Sequence, residues 1–221
     1  IYMAIRRGPL APPTAATEVF AMDMDGATNN HLTSGFPVDL GVYKSKLNTY
    51  NWSFNDRLRG ARSLKSNTNA AENGNTLAVF DNNTGWADSA GLTSEYPSWM
   101  WKRAPSFFDV VAYTGTGSGH TSPKHNLSVA PEMIWVKRRN NTDNWRVLNP
   151  NNRMDVLNGA GTESPASTAA YYFGDDVNVV PPTSTEFTVH GPINLAESYI
   201  AYLFATLAGV SKVGSVTHSG T

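Results

Sequence analysis

The sequence contains no cysteine, which excludes disulfide frameworks, thiolate zinc sites and cysteine nucleophiles. Charge is scarce. Asp, Glu, Lys and Arg make up 16% of the chain, and 17 basic against 18 acidic residues leave a formal charge of −1. That balance offers no global basic field for nucleic acid. The longest nearly apolar run, 199–210, has 12 residues, short of the roughly 20 a membrane-spanning helix needs. Glu and Lys, which help to sustain long helices, are also few, at 7 each. What the chain has in abundance is turn chemistry: 92 of its 221 residues are Gly, Pro, Asn, Ser or Thr. Many short strands joined by turns satisfy that composition, so an all-β fold is expected, with helix below about 15% of residues.

Alternation locates the strands. Glu132-Met133-Ile134-Trp135-Val136-Lys137-Arg138 leads into the Asn-rich turn Arg139-Asn140-Asn141-Thr142, and Asn144-Trp145-Arg146-Val147-Leu148 reads as its hairpin partner. Phe108-Asp109-Val110-Val111-Ala112-Tyr113-Thr114 runs into Gly115-Thr116-Gly117-Ser118-Gly119, a turn. Thr185-Glu186-Phe187-Thr188-Val189 alternates polar and apolar. Tyr199-Ile200-Ala201-Tyr202-Leu203-Phe204-Ala205 is apolar on both faces, as a central strand is. Residues 57–75 carry little periodicity and read as a long connection that a neighbouring subunit orders.

One offset recurs. Tyr96, Trp99, Met100 and Trp101 stand 103 positions before Tyr199, Tyr202, Leu203 and Phe204. The same frame pairs Val110 with Val213, Tyr113 with Val216, Thr114 with Thr217, Thr116 with Ser219 and Gly117 with Gly220. Arg6-Arg7-Gly8-Pro9 also echoes Lys102-Arg103-Ala104-Pro105. The expected organisation is tandem β-sandwich units of about 100 residues with long Asn/Gly-rich loops. Residues 1–8 are the last strand of an upstream unit, 9–104 a first unit, 105–208 a second, and 209–221 the first strand of a downstream unit. The alternative is a single two-sheet domain with similar strands at both edges.

Ala104-Pro105-Ser106-Phe107-Phe108-Asp109-Val110-Val111-Ala112-Tyr113-Thr114-Gly115-Thr116-Gly117 resembles a segment of structural proteins of marine tailed bacteriophages, including cyanophages. So do residues 125–139 and, most closely, 199–214. These tail-fibre-like proteins carry β domains without assigned chemistry. The likeness covers 104–221 well and 1–103 loosely, through residues 1–8 and Asp56-Arg57-Leu58-Arg59-Gly60. It implies a virion location, in a tail or other appendage, and supplies no catalytic residues. Residues 151–180 follow no pattern of the family.

Local chemistry is sparse. Asp23-Met24-Asp25-Gly26 and Asp81-Asn82-Asn83-Thr84-Gly85-Trp86-Ala87-Asp88 space oxygen atoms somewhat as calcium loops do, but neither completes a twelve-position loop with its closing Glu, and Asx turns account for both. Asp175-Asp176 reads as a solvated turn. The five histidines form no His-x-His or His-x-x-x-His pair, and His125 is read as satisfying a turn. No Gly-x-Ser-x-Gly elbow or phosphate loop occurs, and Gly115-x-Gly117-x-Gly119 lacks dinucleotide-site spacing. No enzyme activity, cofactor or metal is expected.

Two sets of residues carry the remaining expectations. Trp52 and Trp86 lie in Asn-rich stretches, where an exposed ring could stack on a sugar, and they are the candidate carbohydrate-binding residues. Arg6, Arg7, Lys102, Arg103, Lys137, Arg138 and Arg139 are candidates for contacts between subunits or units, against the plainer role of guarding strand edges. The expected protein is a virion component forming a multimeric arm, most simply a homotrimer that contacts other virion proteins and supports or performs host attachment. A carbohydrate-binding module for a host surface glycan and a polysaccharide-cleaving tailspike are the alternatives. Neither nucleic acid nor membrane insertion is expected.

Overall fold

The structure is a computed structural model and describes residues 11–24, 31–74, 78–88, 94–159 and 164–216. The first half holds β1 (Phe20–Asp23), β2 (His31–Thr33), β3 (Leu40–Tyr43), β4 (Ser53–Asp56), β5 (Leu64–Lys65), β6 (Ala78–Val79), β7 (Gly85–Asp88) and β8 (Ser98–Trp101). The second holds β9 (Phe108–Thr114), β10 (His120–Thr121), β11 (Met133–Arg138), β12 (Arg146–Leu148), β13 (Met154–Val156), α1 (Ala166–Tyr172), β14 (Val189–His190) and β15 (Ser198–Phe204). Among the described residues strands far outweigh the one seven-residue helix, so the protein is all-β, built of tandem sandwich-like units.

Among the described residues all strand pairing is antiparallel and stays within a half. The first half forms a five-stranded sheet, β1-β8-β3-β4-β5, with a small sheet β2-β7-β6 beside it. The second forms β13-β12-β11-β15-β9 with the small sheet β10-β14. The two halves therefore share one strand order: first beside last, then third, fourth and fifth, with the second strand paired to the penultimate one. β8 and β15, which carry the aromatic segments 103 residues apart, occupy the same place.

Details repeat as well. Asp39 N–H donates to the Trp101 carbonyl at 2.8 Å, and Glu132 N–H to the Phe204 carbonyl at 2.9 Å. The Asp39 carboxylate accepts the N–H of Arg103, and the Glu132 carboxylate that of Thr206. The turn after each aromatic strand closes by an isolated bridge, Ala104 to Phe108 and Leu207 to Ser211. Its middle residue has positive φ in both, Ser106 at 62° and Gly209 at 76°.

Each five-stranded sheet buries one face under its own small sheet and the other against its counterpart. Leu32, Phe36, Val38, Phe80, Trp86 and Met100 fill the outer layer of the first half. Leu127, Ile134, Val136, Leu203 and the Ala169 face of α1 fill that of the second. The inner faces form a shared core in which Leu40, Val42 and Phe54 meet Phe108, Val110, Trp145, Ile200 and Tyr202. The units thus pack face to face.

The strands β9, β11, β12 and β15 lie where alternation puts them, and β15 is central with both faces buried. The 185–189 segment differs: only Val189 enters a strand, and Glu186 makes a single bridge to Lys124. The 57–75 connection finds partners within the chain. Within the described part, Glu72 N–H donates to the Arg139 carbonyl at 2.7 Å, Asp143 N–H to Asn69 at 2.9 Å, and the Trp145 indole to Lys65 at 2.8 Å.

Candidate functional site

Ladder register assembles an aromatic trough between the two inner faces. In β3, Leu40 and Val42 point the same way, and their partners across β8 are Trp101 and Trp99. Val42 also faces Phe54 across β4, and Trp52 stands two residues earlier on the same side. The opposite wall comes from Trp135 on β11, Phe204 on β15, and Leu157 just after β13. Together with Ser66 these residues enclose about 410 Å³, within the range of small-ligand sites. Trp52 and Trp99 lie 4.8 Å apart between ring centroids and Trp135 and Phe204 4.9 Å apart. Leu157 is 39% exposed, and Met22, paired with Trp99 across β1, is 54% exposed, so the apolar surface continues to solvent.

The walls carry few polar atoms. Lys44 holds its ammonium 5.7 Å from the Trp52 ring centre. Among the described residues no carboxylate pairs with Lys44, and the indole N–H of Trp52 has no hydrogen-bond partner.

The same register gives Trp52 a counterpart. Val42 faces Phe54 as Trp135 faces Val147, so Trp52 in one half stands where Trp145 stands in the other. Trp145 is fully buried, donates its N–H to Lys65, and packs 5.4 Å from Phe54 and 6.1 Å from Tyr202. One position is closed by the opposing half and the other stays open.

Beside Trp145 lies a buried ionic network. Asp56 accepts from Arg59 Nε at 2.5 Å, from Arg59 N–H at 3.0 Å and from the Tyr202 hydroxyl at 2.7 Å. Arg59 Nη2 donates to the Phe54 carbonyl at 2.9 Å and to Tyr202 at 3.1 Å. Its Nη1 faces Glu72 at 3.7 Å, and Glu72 takes a two-pronged contact from Arg139 at 3.0 and 3.1 Å. Burial and the Arg59 cation act oppositely on Tyr202, and burial dominates, lifting its pKa well above 10. Asp56, Arg59 and Glu72 each hold a partner in the other unit, Tyr202 or Arg139, so the network ties the two units together.

The basic residues singled out in the sequence fall mostly inside the chain. Lys137 is fully buried with its ammonium on the Arg138 carbonyl, and burial pushes its pKa down to about 8. Arg138 reaches the Thr142 carbonyl and Asp143, and Arg139 holds Glu72. Of these three, Arg139 makes a contact between the two units, since Glu72 belongs to the first half. Arg103 pairs with Asp39 at 3.3 Å, and Lys102 is half-buried at the end of β8. Arg6 and Arg7 lie outside the described residues.

Trp86 requires a correction. It is fully buried, stacks 5.4 Å from Phe80, and donates to Ser98 Oγ at 3.2 Å. Gly41 makes the room, because a Cβ there would collide with the indole. Trp86 therefore presents no ring to a sugar; Trp52 alone of the pair is half-exposed.

A second cleft of about 300 Å³ involves Gly117, Ser118, Gly119, Tyr171 and His190. Asn194 pins this glycine turn, its amide donating to Thr116, Ser118 and Gly119 and its side-chain oxygen accepting from Thr116 N–H. Among the described residues, no three His, Cys, Asp or Glu gather as a metal site, and no helix is long and apolar enough to cross a membrane.

Among curated proteins no match is found, and no solved structure matches the chain. The family model described as Domain of unknown function (DUF7483) matches residues 16–221. Since that match spans both five-stranded sheets and the trough between them, the chain belongs to the DUF7483 family.

Proposed function

We propose that this chain is a non-enzymatic structural module of a phage virion appendage, tail-fibre-like, which multimerises into an arm that supports or performs host attachment. The resemblance of 104–221 to phage structural proteins supports that location. The observation that carries the mechanical reading is the shared core: two units of one strand order are locked inner face to inner face through a buried aromatic and ionic layer. The seven-residue edge strand β9 is the natural joining surface. The Asp109 carboxylate takes the N–H of Val110 and Asn126 and so covers its start, while Ala112 and Thr114 remain exposed. The recurrence of the 104–108 turn at 207–211 supports placing a unit boundary at each.

Gold-labelled antibody raised against the 221-residue chain tests this on purified phage particles that contain it. Label along a tail or other appendage is the expected result; particles that contain the chain yet bind no label there would refute it. A carbohydrate-binding reading is favoured by one observation, the half-exposed Trp52–Trp99 pair beside Lys44, and it predicts protection of Trp52 by host-type oligosaccharides.

A further inference from the structure

The trough is a binding site of definable chemistry. Its walls are four Trp and two Phe rings from both sheets, with Leu40, Val42 and Leu157 and a single hydroxyl, Ser66. That lining rewards a flat or compact apolar body of roughly ten to twenty non-hydrogen atoms. Apart from the Ser66 hydroxyl, which can also accept, the polar side-chain groups at hand are donors. Lys44 supplies an ammonium one ring away with no carboxylate partner among the described residues, and Trp52 supplies an unpaired indole N–H. A sugar presents hydroxyls that both donate and accept, and these walls offer almost nothing to receive its donors, so a buried polyol would leave hydrogen bonds unmade. A group that only accepts, and carries negative charge, loses none.

The duplicated architecture strengthens the assignment. At the equivalent position in the second half, Trp145 has its N–H satisfied by the Lys65 carbonyl and its ring covered by Phe54. The opposing half closes that place. At Trp52 only Trp99 of the same half packs on the ring; among the described residues its N–H finds no acceptor and no ring of the opposing half covers it, so the complement of this site is an acceptor joined to an apolar ring or chain. We propose that the trough between the two sheets binds a small apolar anion, an aromatic or aliphatic carboxylate or sulfonate whose body lies among Trp52, Trp99, Trp101 and Trp135 and whose charge is met by Lys44. This goes beyond the assembly reading and does not depend on it.

The test uses the whole chain and two probes of similar body: 1-anilinonaphthalene-8-sulfonate, an anion, and N-phenyl-1-naphthylamine, which is neutral. Binding is read by energy transfer from tryptophan. The anion is expected to bind at one site several-fold more tightly than the neutral probe at low salt, with the difference shrinking as salt rises. Lys44→Gln should weaken the anion roughly 3- to 10-fold and leave the neutral probe unchanged, a loss of about 0.7 to 1.4 kcal/mol by the tenfold-per-1.4 relation. Trp52→Phe, which keeps a ring and removes the N–H, should also weaken the anion selectively. Trp99→Ala should weaken both probes, and because Lys44→Gln and Trp52→Phe leave the core intact, the proposal stands or falls even if Trp99→Ala does not fold. Equal affinity for the two probes, indifference of the anion to Lys44→Gln, or no saturable binding below about 1 mM would overturn it. So would displacement of the probe by oligosaccharide, or its exclusion on self-association of the chain.

Discussion

Removing one oxygen from the lock between the units should be costly. In Tyr202→Phe, Asp56 loses its 2.7 Å bond from the hydroxyl and Arg59 loses its 3.1 Å acceptor. Asp56 and Arg59 are both buried, with side chains out of contact with solvent, so water cannot repair either loss. A hydrogen bond to a charged group contributes about 1.5 to 3 kcal/mol, and the carboxylate keeps two contacts from Arg59. The expected loss is therefore about 2 kcal/mol rather than the sum of two deletions. With a urea dependence of about 2 kcal/mol per molar, the midpoint should fall by about 1 M. Tyr199→Phe is the matched control, because its hydroxyl donates to the neutral Pro192 carbonyl at 2.9 Å and should contribute about 1 kcal/mol. Tryptophan fluorescence reads the transition, since Trp145 sits against Tyr202. A Tyr202→Phe midpoint within about 0.2 M of the parent, or below the effect of the control, would refute the claim that this network holds the units together.

Other outcomes follow from the same structure. Arg59→Met, which leaves the Asp56 carboxylate buried without its cation, should cost more, about 3 to 5 kcal/mol by denaturation. Gly41→Ala drives a Cβ into the Trp86 indole and should cost about 1 to 3 kcal/mol, with a changed Trp86 environment in near-ultraviolet circular dichroism. Lys137 is held down to about 8 mainly by burial, so between pH 8 and its ordinary 10.5 the unfolded chain binds the extra proton and stability rises with pH. Burial conversely holds Tyr199 up at about 12, so above pH 10 the folded chain keeps the proton longer and stability falls. Denaturation midpoints from pH 7 to 11 should pass through a maximum near pH 10, and Lys137→Met should flatten the rising limb; a rising limb unchanged in that variant would contradict the assignment.

The legible parts of the fold were those with local period. β9, β11 and β15 run six or seven residues, long enough for alternation to show. Helix α1 left little trace because Ala-Ser-Thr-Ala-Ala-Tyr-Tyr buries only Ala169 and Ala170, a stripe too weakly apolar to stand out. The Trp86 reading failed for a related reason. Its Asn-rich surroundings suggest exposure, but its burial is decided by Gly41, 45 positions away in the sequence. Arg59 and Tyr202 are 143 residues apart, and no window reveals that two such residues share a carboxylate. Lys137 looked like one more charge in a basic run, whereas alternation along β11 turns it inward beside Trp135. Trp52 was legible as a candidate, but Trp99 stood out only as part of the repeat, and only the register of β8, β3 and β4 places both on one trough.

Whether these units serve assembly, as proposed, is read most directly from the mass of the purified 221-residue chain by light scattering across micromolar concentrations. A homomultimer is expected, with the trimer as the simplest closed form, joined through surfaces of more than about 1,000 Å² per pair. A stable, soluble monomer that unfolds cooperatively over that range would contradict it.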